Sequence, residues 1–284
     1  MAMLLKGAPV AAALNEKTAA TVEQLKAAGI EPTLAILRVG ERDNDLSYER
    51  GAAKRCEQLG VALRRVVLPA DADNNLLLDT IDALNADNGV HGILMFSPLP
   101  EGLDGEQARK RLSPAKDIDG STDGSLAGVF AGMALGFPPC TARAAMEILD
   151  YYGIECCGKR AAVIGRSLVV GRPAAMMLMR KNATVTVCHT KTVDMPAVTK
   201  QADIVIACTG QMESIGPEYF RDDAVVIDVG TEWNEEKGKI CGDVRFDEVE
   251  PHVAAITPVP GGVGAVTTAV LLRHVVEAAK RCLP

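Results

Sequence analysis

Positive charge is in short supply in this sequence. Thirty Lys and Arg face 37 Asp and Glu, a formal net charge of −7. That balance argues against the clustered basic surface that nucleic acid or an anionic membrane would need, so neither is expected as a partner. A small acidic substrate stays possible, because a local basic pocket does not show in a total. Long apolar runs are missing too. The opening stretch MAMLLKGAPVAAALNEKTA is interrupted by Lys6, Glu16 and Lys17, so it is expected to be neither a signal peptide nor a membrane span. Eight cysteines occur with no C-x-x-C spacing and no metal-like pairing with the four histidines. Buried thiols in a reducing cytoplasm are expected, with no metal site. No repeat of solenoid period and no low-complexity linker interrupts the chain.

What is there is a soluble globular sequence of 284 residues, 48 % hydrophobic, enough for one large domain or two modest ones. After a helical segment ended by Gly29, TLAILRVG reads as a buried strand, 46–60 as a helix, ALRRVVLP as a strand, NLLLDTIDALNA as a helix and VHGILMFSPLP as a strand entering a proline-stiffened loop. Crossovers of this length join parallel strands, so this half is an α/β layer. A second alternation follows, with strands at RAAVIG, ATVTVCH, ADIVIAC, AVVIDVG and AAITPV, the rhythm of a doubly wound, Rossmann-like parallel sheet. TTAVLLRHVVEAAKRCL is an amphipathic helix able to return to the first unit. The expected division is 1–138 plus 268–284 for the first domain and 139–267 for the second.

The first strand of the second unit runs into GRSLVVGRP. A strand-to-helix turn there brings backbone N–H groups and a helix N-terminus to a pyrophosphate, and it needs glycine where the phosphate comes close. Gly165 and Gly171 meet that need without the usual G-x-G-x-x-G. A glycine-rich turn that merely packs a strand on a helix is the alternative. The second strand ends in VCHTKT, with no acid to bind a ribose 2′-hydroxyl. With Thr190, Lys191 and Arg166 nearby, NADP is the expected cofactor and NAD a possible one. Lys191 is equally readable as a charge on a solvated loop.

Taken together, GRSLVVGRP, TPVPGGVG, SPLP and PAKDIDG closely resemble the methylenetetrahydrofolate dehydrogenase/cyclohydrolase family, in order over nearly the whole chain. The resemblance implies two α/β domains with a folate cleft between them, the dinucleotide on the second, and a homodimer. It places cofactor contacts on Gly165, Arg166, Ser167, Thr190 and Thr231. Folate contacts fall on Tyr48, Asp119, Pro260, Gly261 and Gly262, with Tyr48 and Asp119 as the catalytic pair. A buried carboxylate at Asp119 would accept hydrogen bonds from pterin N–H groups, and Tyr48 offers an aromatic face with a polar tip. The alternative for Asp119 is a turn former in DIDGS.

The departures from the family concern one activity. Its bifunctional members carry a lysine four residues after the tyrosine and a glutamine two before the proline of the PLP loop; here those positions hold Ala52 and Phe96. In the family the lysine is assigned to cyclohydrolase proton transfer and the glutamine to tuning it. Lys54 lies six residues from Tyr48, about 240° around a helix, and shares no face with it. The expected function is NADP-dependent 5,10-methylenetetrahydrofolate dehydrogenase with cyclohydrolase activity weak or absent. A bifunctional enzyme with another proton shuttle, and a non-catalytic folate or nucleotide binder, are the alternatives. Further changes at 120–130, Ala142, Ala265 and Val266 bear on the folate pose.

Overall fold

The computed structural model describes residues 1–283. The chain opens with a two-residue strand, β1 (Met3–Leu4), and a long helix, α1 (Gly7–Ala27). It continues through β2 (Thr33–Val39), α2 (Asp43–Leu59), β3 (Ala62–Leu68), α3 (Asn74–Ala86) and β4 (Gly92–Met95). These three longer strands form a parallel sheet in the order β3-β2-β4. Central β2 is buried at every position but its first, which is why it reads as an unbroken apolar run and not as an alternation. Helix α3 is capped by the Asp73 carboxylate, which accepts from Leu76 N at 2.8 Å, and it buries Leu77, Ile81 and Leu84 in the core of this sheet. Two short helices, α4 (Gly105–Arg111) and α5 (Asp123–Ala131), were not anticipated; their only local marks are the caps Asp104 and Thr122.

The second alternation runs α6 (Cys140–Tyr151), β5 (Arg160–Ile164), α7 (Gly171–Arg180), β6 (Thr184–Cys188), α8 (Met195–Thr199), β7 (Ile204–Ala207) and β8 (Val225–Asp228). It then passes through a hairpin, β9 (Glu232–Asn234) and β10 (Lys239–Cys241), to α9 (Phe246–Val249), β11 (Ala255–Ile256) and α10 (Val263–Lys280). The large sheet has the order β1-β11-β8-β7-β5-β6, and every pairing in it is parallel. Strand β5 is flanked by β6 on one side and β7 on the other, so the strand order reverses there. Loops on either side of such a point diverge and leave a crevice at the carboxyl ends of the strands.

The chain divides into two compact units, Met1–Ala12 with Pro139–Thr267, and Ala13–Pro138 with 268 onward. Residues 1–12, expected with the first half, instead belong with the later sheet. The cause is pairing: Met3 N donates to Ala254 O and Leu5 N to Ile256 O, both at 2.9 Å, so β1 completes the edge left open by β11. No periodicity in so short a strand announces this.

Candidate active site

The turn after β5 has the geometry an anion needs. Gly165 has φ 135°, and a Cβ there would lie 2.2 Å from Cys208 O; a Cβ on Gly171 would lie 2.2 Å from Gly165 O. Both obstacles are backbone, so both positions require glycine. Ser167 Oγ accepts from Val170 N at 3.1 Å and shapes the turn into the start of α7. A cavity of about 320 Å3 opens here, with Gly165, Arg166, Ser167, His189, Thr190 and Thr209 in its wall. Arg166 is exposed and makes no hydrogen bond or ion pair among the described residues, so its guanidinium is available to an incoming anion. No acidic side chain lines the cavity. Glycine cradle, available cation and absent carboxylate together fit a phosphorylated dinucleotide.

The structure thus brings four of the five expected cofactor residues to one cavity, and it separates the fifth. Thr231 lines a different cavity of about 280 Å3, with Asp228, Ile240 and the loop 258–265, which includes Pro260, Gly261 and Gly262. Lys191 is absent from the first cavity; its backbone N–H instead donates to His189 Nδ1 at 3.1 Å. That bond leaves the ring proton on Nε2, and His189, unremarked in the sequence, supplies an imidazole to the wall.

Two further acids went unread because their partners lie far along the chain. Asp243 is wholly buried and accepts from the amides of Thr209, Gly210 and Gln211, at 2.5, 3.3 and 3.2 Å; it fixes the loop that closes the first cavity. Asp228 accepts from the amides of Gly230, Asp243 and Val244, each at 3.0 Å. Burial pushes its carboxyl up to about 7, against those three donors and with the Asp243 charge adding to the rise. Burial likewise raises the Cys208 thiol to about 12, helped by Asp243 and Asp228, so this cysteine beside the cofactor cavity is a poor nucleophile.

In the other unit, α2 runs unbroken from Asp43 to Leu59. Tyr48 is 43 % exposed, whereas Ala52 and Phe96 are buried. The Tyr48 and Phe96 rings meet edge to face, with centroids 5.7 Å apart and planes at 89°. Lys54 is exposed and lines a groove with Arg50, Cys56, Glu57 and Arg65, in which Tyr48 takes no part. The helix shows no distortion that would carry Lys54 into register with Tyr48.

The expected burial of Asp119 is corrected. Asp119 is exposed, and the buried carboxylate of KDIDG is Asp117. Asp117 accepts from the amides of Gly120, Ser121 and Thr122, at 3.1, 3.1 and 2.7 Å, and from Ser125 Oγ at 2.6 Å. The turn is thus held by Asp117. Between the two acids Ile118 is fully buried, and its carbonyl lies 2.8 Å from His274 Nδ1 on α10. Anchored on both counts, the 117–118 backbone directs the next side chain, Asp119, outward.

Residues 5–119 match the catalytic domain and residues 139–283 the NAD(P)-binding domain of the tetrahydrofolate dehydrogenase/cyclohydrolase family. The bifunctional protein FolD of Carboxydothermus hydrogenoformans is 51 % identical over 98 % of this chain and 97 % of its own. Among solved structures, the bifunctional FolD of Campylobacter jejuni is similar at a TM-score of 0.95 and 38 % identity, covering all of both chains. The Trypanosoma brucei enzyme, solved with NADP and an inhibitor, is similar at a TM-score of 0.89 and 34 % identity, over 99 % of this chain and 98 % of that one.

Proposed function

We propose that this chain, which belongs to the tetrahydrofolate dehydrogenase/cyclohydrolase family, oxidises 5,10-methylenetetrahydrofolate to the methenyl compound with NADP+ and gives little help to the hydrolysis that follows. The observation that carries this reading is the Tyr48–Phe96 ring pair beside a helix whose residue 52 is a buried alanine. A hydride leaving the carbon between two nitrogens needs no general base, because the cation left behind is spread over N5, the bridging carbon and N10. When bound, the nicotinamide ring supplies the acceptor for that hydride. The chain's own work is to hold and orient. Tyr48 offers its ring to the pterin, and the Asp119 carboxylate accepts from pterin N–H groups. Arg166, Ser167 and Thr190 hold the phosphate end of the dinucleotide, and the acid-free cavity favours a 2′-phosphate over a bare hydroxyl.

Hydrolysis of the methenyl ring is different chemistry. Water must be activated and a proton moved by a side chain of suitable pKa, and neither a methyl group nor a phenyl ring does this. The names of the relatives favour a second reading, in which both steps are catalysed, since the Carboxydothermus hydrogenoformans and Campylobacter jejuni proteins are both bifunctional. One absorbance assay separates the two readings. With methylenetetrahydrofolate and NADP+, the purified protein is expected to produce the methenyl compound, which then decays no faster than in protein-free buffer. Ala52→Lys alone should add little hydrolysis, because an ammonium beside Phe96 is desolvated without a partner. Ala52→Lys with Phe96→Gln should add more than the sum of the single changes. Enzyme-dependent hydrolysis by the unmodified protein establishes the bifunctional reading instead.

The folate assignment has its own check. Asp119→Ala is expected to weaken folate binding by about 1.5–3 kcal/mol, the net worth of hydrogen bonds to a charged carboxylate, and to leave NADP+ binding unchanged. Equal loss of both ligands by calorimetry would remove Asp119 from this role.

A further inference from the structure

Two peptide planes flank the Cα of Asp119, and each is held by a different part of the chain. The plane after it ends in the Gly120 amide, which donates to Asp117 Oδ1 at 3.1 Å and to the Asp117 carbonyl at 3.2 Å. The plane before it contains the Ile118 carbonyl, 2.8 Å from His274 Nδ1. A carbonyl oxygen can only accept, so Nδ1 carries the proton and donates it. A peptide unit is planar and leaves only φ and ψ free, so a bond to each plane restrains both angles at residue 119. Asp117 is close in sequence, whereas His274 reaches Ile118 from 156 residues away.

The imidazole is itself held. His274 is 1 % exposed, and its ring stacks on Phe137 with centroids 5.0 Å apart and planes at 30°. Just beyond the end of α10, the Arg281 guanidinium carbon lies 4.2 Å from the Phe137 centroid, a cation–π contact, and Arg281 Nη2 donates to Gly136 O at 3.1 Å. The Phe137 amide donates to Ser125 Oγ at 3.4 Å, and that hydroxyl donates to Asp117 Oδ2 at 2.6 Å. The contacts close a circuit through Asp117, Ser125, Phe137, His274 and Ile118, which follows Asp117 in the chain. All of it lies in the unit of residues 13–138 and 268 onward. Asp119, exposed, is the side chain that leaves this circuit. The Asp117 carboxylate alone would suffice to shape the turn; the histidine adds control of the one peptide plane that Asp117 does not bond. We propose that His274 is a positioning residue for the folate site: through the Ile118 carbonyl it holds the peptide from which Asp119 departs, and so aims the carboxylate that receives the pterin N–H groups. A binding group keeps its geometry only as well as the groups behind it are locked. This inference rests on the folate reading of Asp119 given above.

His274→Leu removes the donor and keeps an apolar filling. It is expected to weaken tetrahydrofolate binding about tenfold by calorimetry, within the range for residues joined in one hydrogen-bond network, and to leave NADP+ binding unchanged. His274→Asn, whose amide nitrogen can donate from near the place of Nδ1, should bind tetrahydrofolate within about twofold of the unmodified chain. In an Asp119→Ala background His274→Leu should add no further loss, because the group it positions is gone. A general loosening of the fold would instead lower affinity by the same factor in both backgrounds. Phe137→Leu takes away the surface on which the imidazole stacks and leaves His274 in place. It should weaken tetrahydrofolate binding in the same direction, again only while Asp119 is present, and it supplies the test if His274→Leu lacks a cooperative urea transition. Unchanged affinity in His274→Leu, equal losses with and without Asp119, or an Asn variant as weak as the Leu variant would overturn the positioning role and leave the folate reading standing. If Asp119→Ala alone binds tetrahydrofolate as tightly as the unmodified chain, the folate reading of Asp119 fails, and His274 has nothing to aim.

Discussion

Gly171→Ala is expected to lower NADP+-dependent turnover by about a hundredfold, the loss that a misplacement of roughly 1 Å produces in a reacting pair, and to weaken NADP+ binding with it. The added methyl would sit 2.2 Å from Gly165 O and 2.6 Å from its carbonyl carbon, and neither neighbour is a side chain that can rotate away. Either the turn at 165–166 moves or the start of α7 does, and both carry the groups that face the phosphates. Forced movement of packed backbone also costs about 1–3 kcal/mol of stability. Calorimetric titration with NADP+, paired with a denaturation curve, separates the two effects. If affinity falls only in proportion to the fraction unfolded, the glycine is there for packing alone, which is the alternative that the sequence leaves open for this turn.

Glu49→Ala is expected to lower unfolding free energy by about 3–5 kcal/mol, because it strands a buried cation. Glu49 on α2 follows Tyr48 directly. Its carboxylate accepts from Arg38 Nε on β2 at 2.8 Å and from Arg65 Nε on β3 at 2.7 Å. Arg38, buried like Glu49, also donates to Gly40 O. Without the carboxylate the Arg38 guanidinium keeps its desolvation and loses its counter-charge. Burial alone would raise the Glu49 pKa, but Arg65 and Arg38 outweigh it and hold it below the ordinary 4.5. A carboxyl depressed on folding stabilises fully above its unfolded pKa, and that stability is lost as pH falls through the folded value. The unmodified chain should therefore lose more stability than Glu49→Ala does as pH falls below 4.5. Urea midpoints across that range read the difference directly. A variant within 1 kcal/mol of the unmodified chain at neutral pH would show that solvent reaches Arg38 and replaces the ion pair.

Since Glu49 neighbours Tyr48, the same cluster fixes the register of α2 against β2 and β3, and with it the placement of the Tyr48 ring. Glu49→Ala should thus weaken folate binding as well as stability. Lys54, on another face of the helix, takes no part in that network.

The sequence by itself determined the two α/β alternations, the parallel sheets, the glycine turn after β5, and an alanine and a phenylalanine at positions 52 and 96. These are local properties: contiguous apolar runs specify strands buried on both faces, helical spacing specifies which residues share a face, and a motif states its own chemistry. Only the tertiary structure decided that residues 1–12 complete the large sheet, that Asp117 and not Asp119 is the buried acid, that Thr231 lies apart from the phosphate turn, and that Asp243 and His189 shape the cofactor cavity. The placement of the N-terminal strand and of Asp243 depends on which distant backbone atom is left without a hydrogen-bond partner once the sheets have formed: Ala254 O for the strand, the amides of 209–211 for Asp243. Local pattern carries no information about such partners, because they meet only after the chain has crossed the sheet and returned.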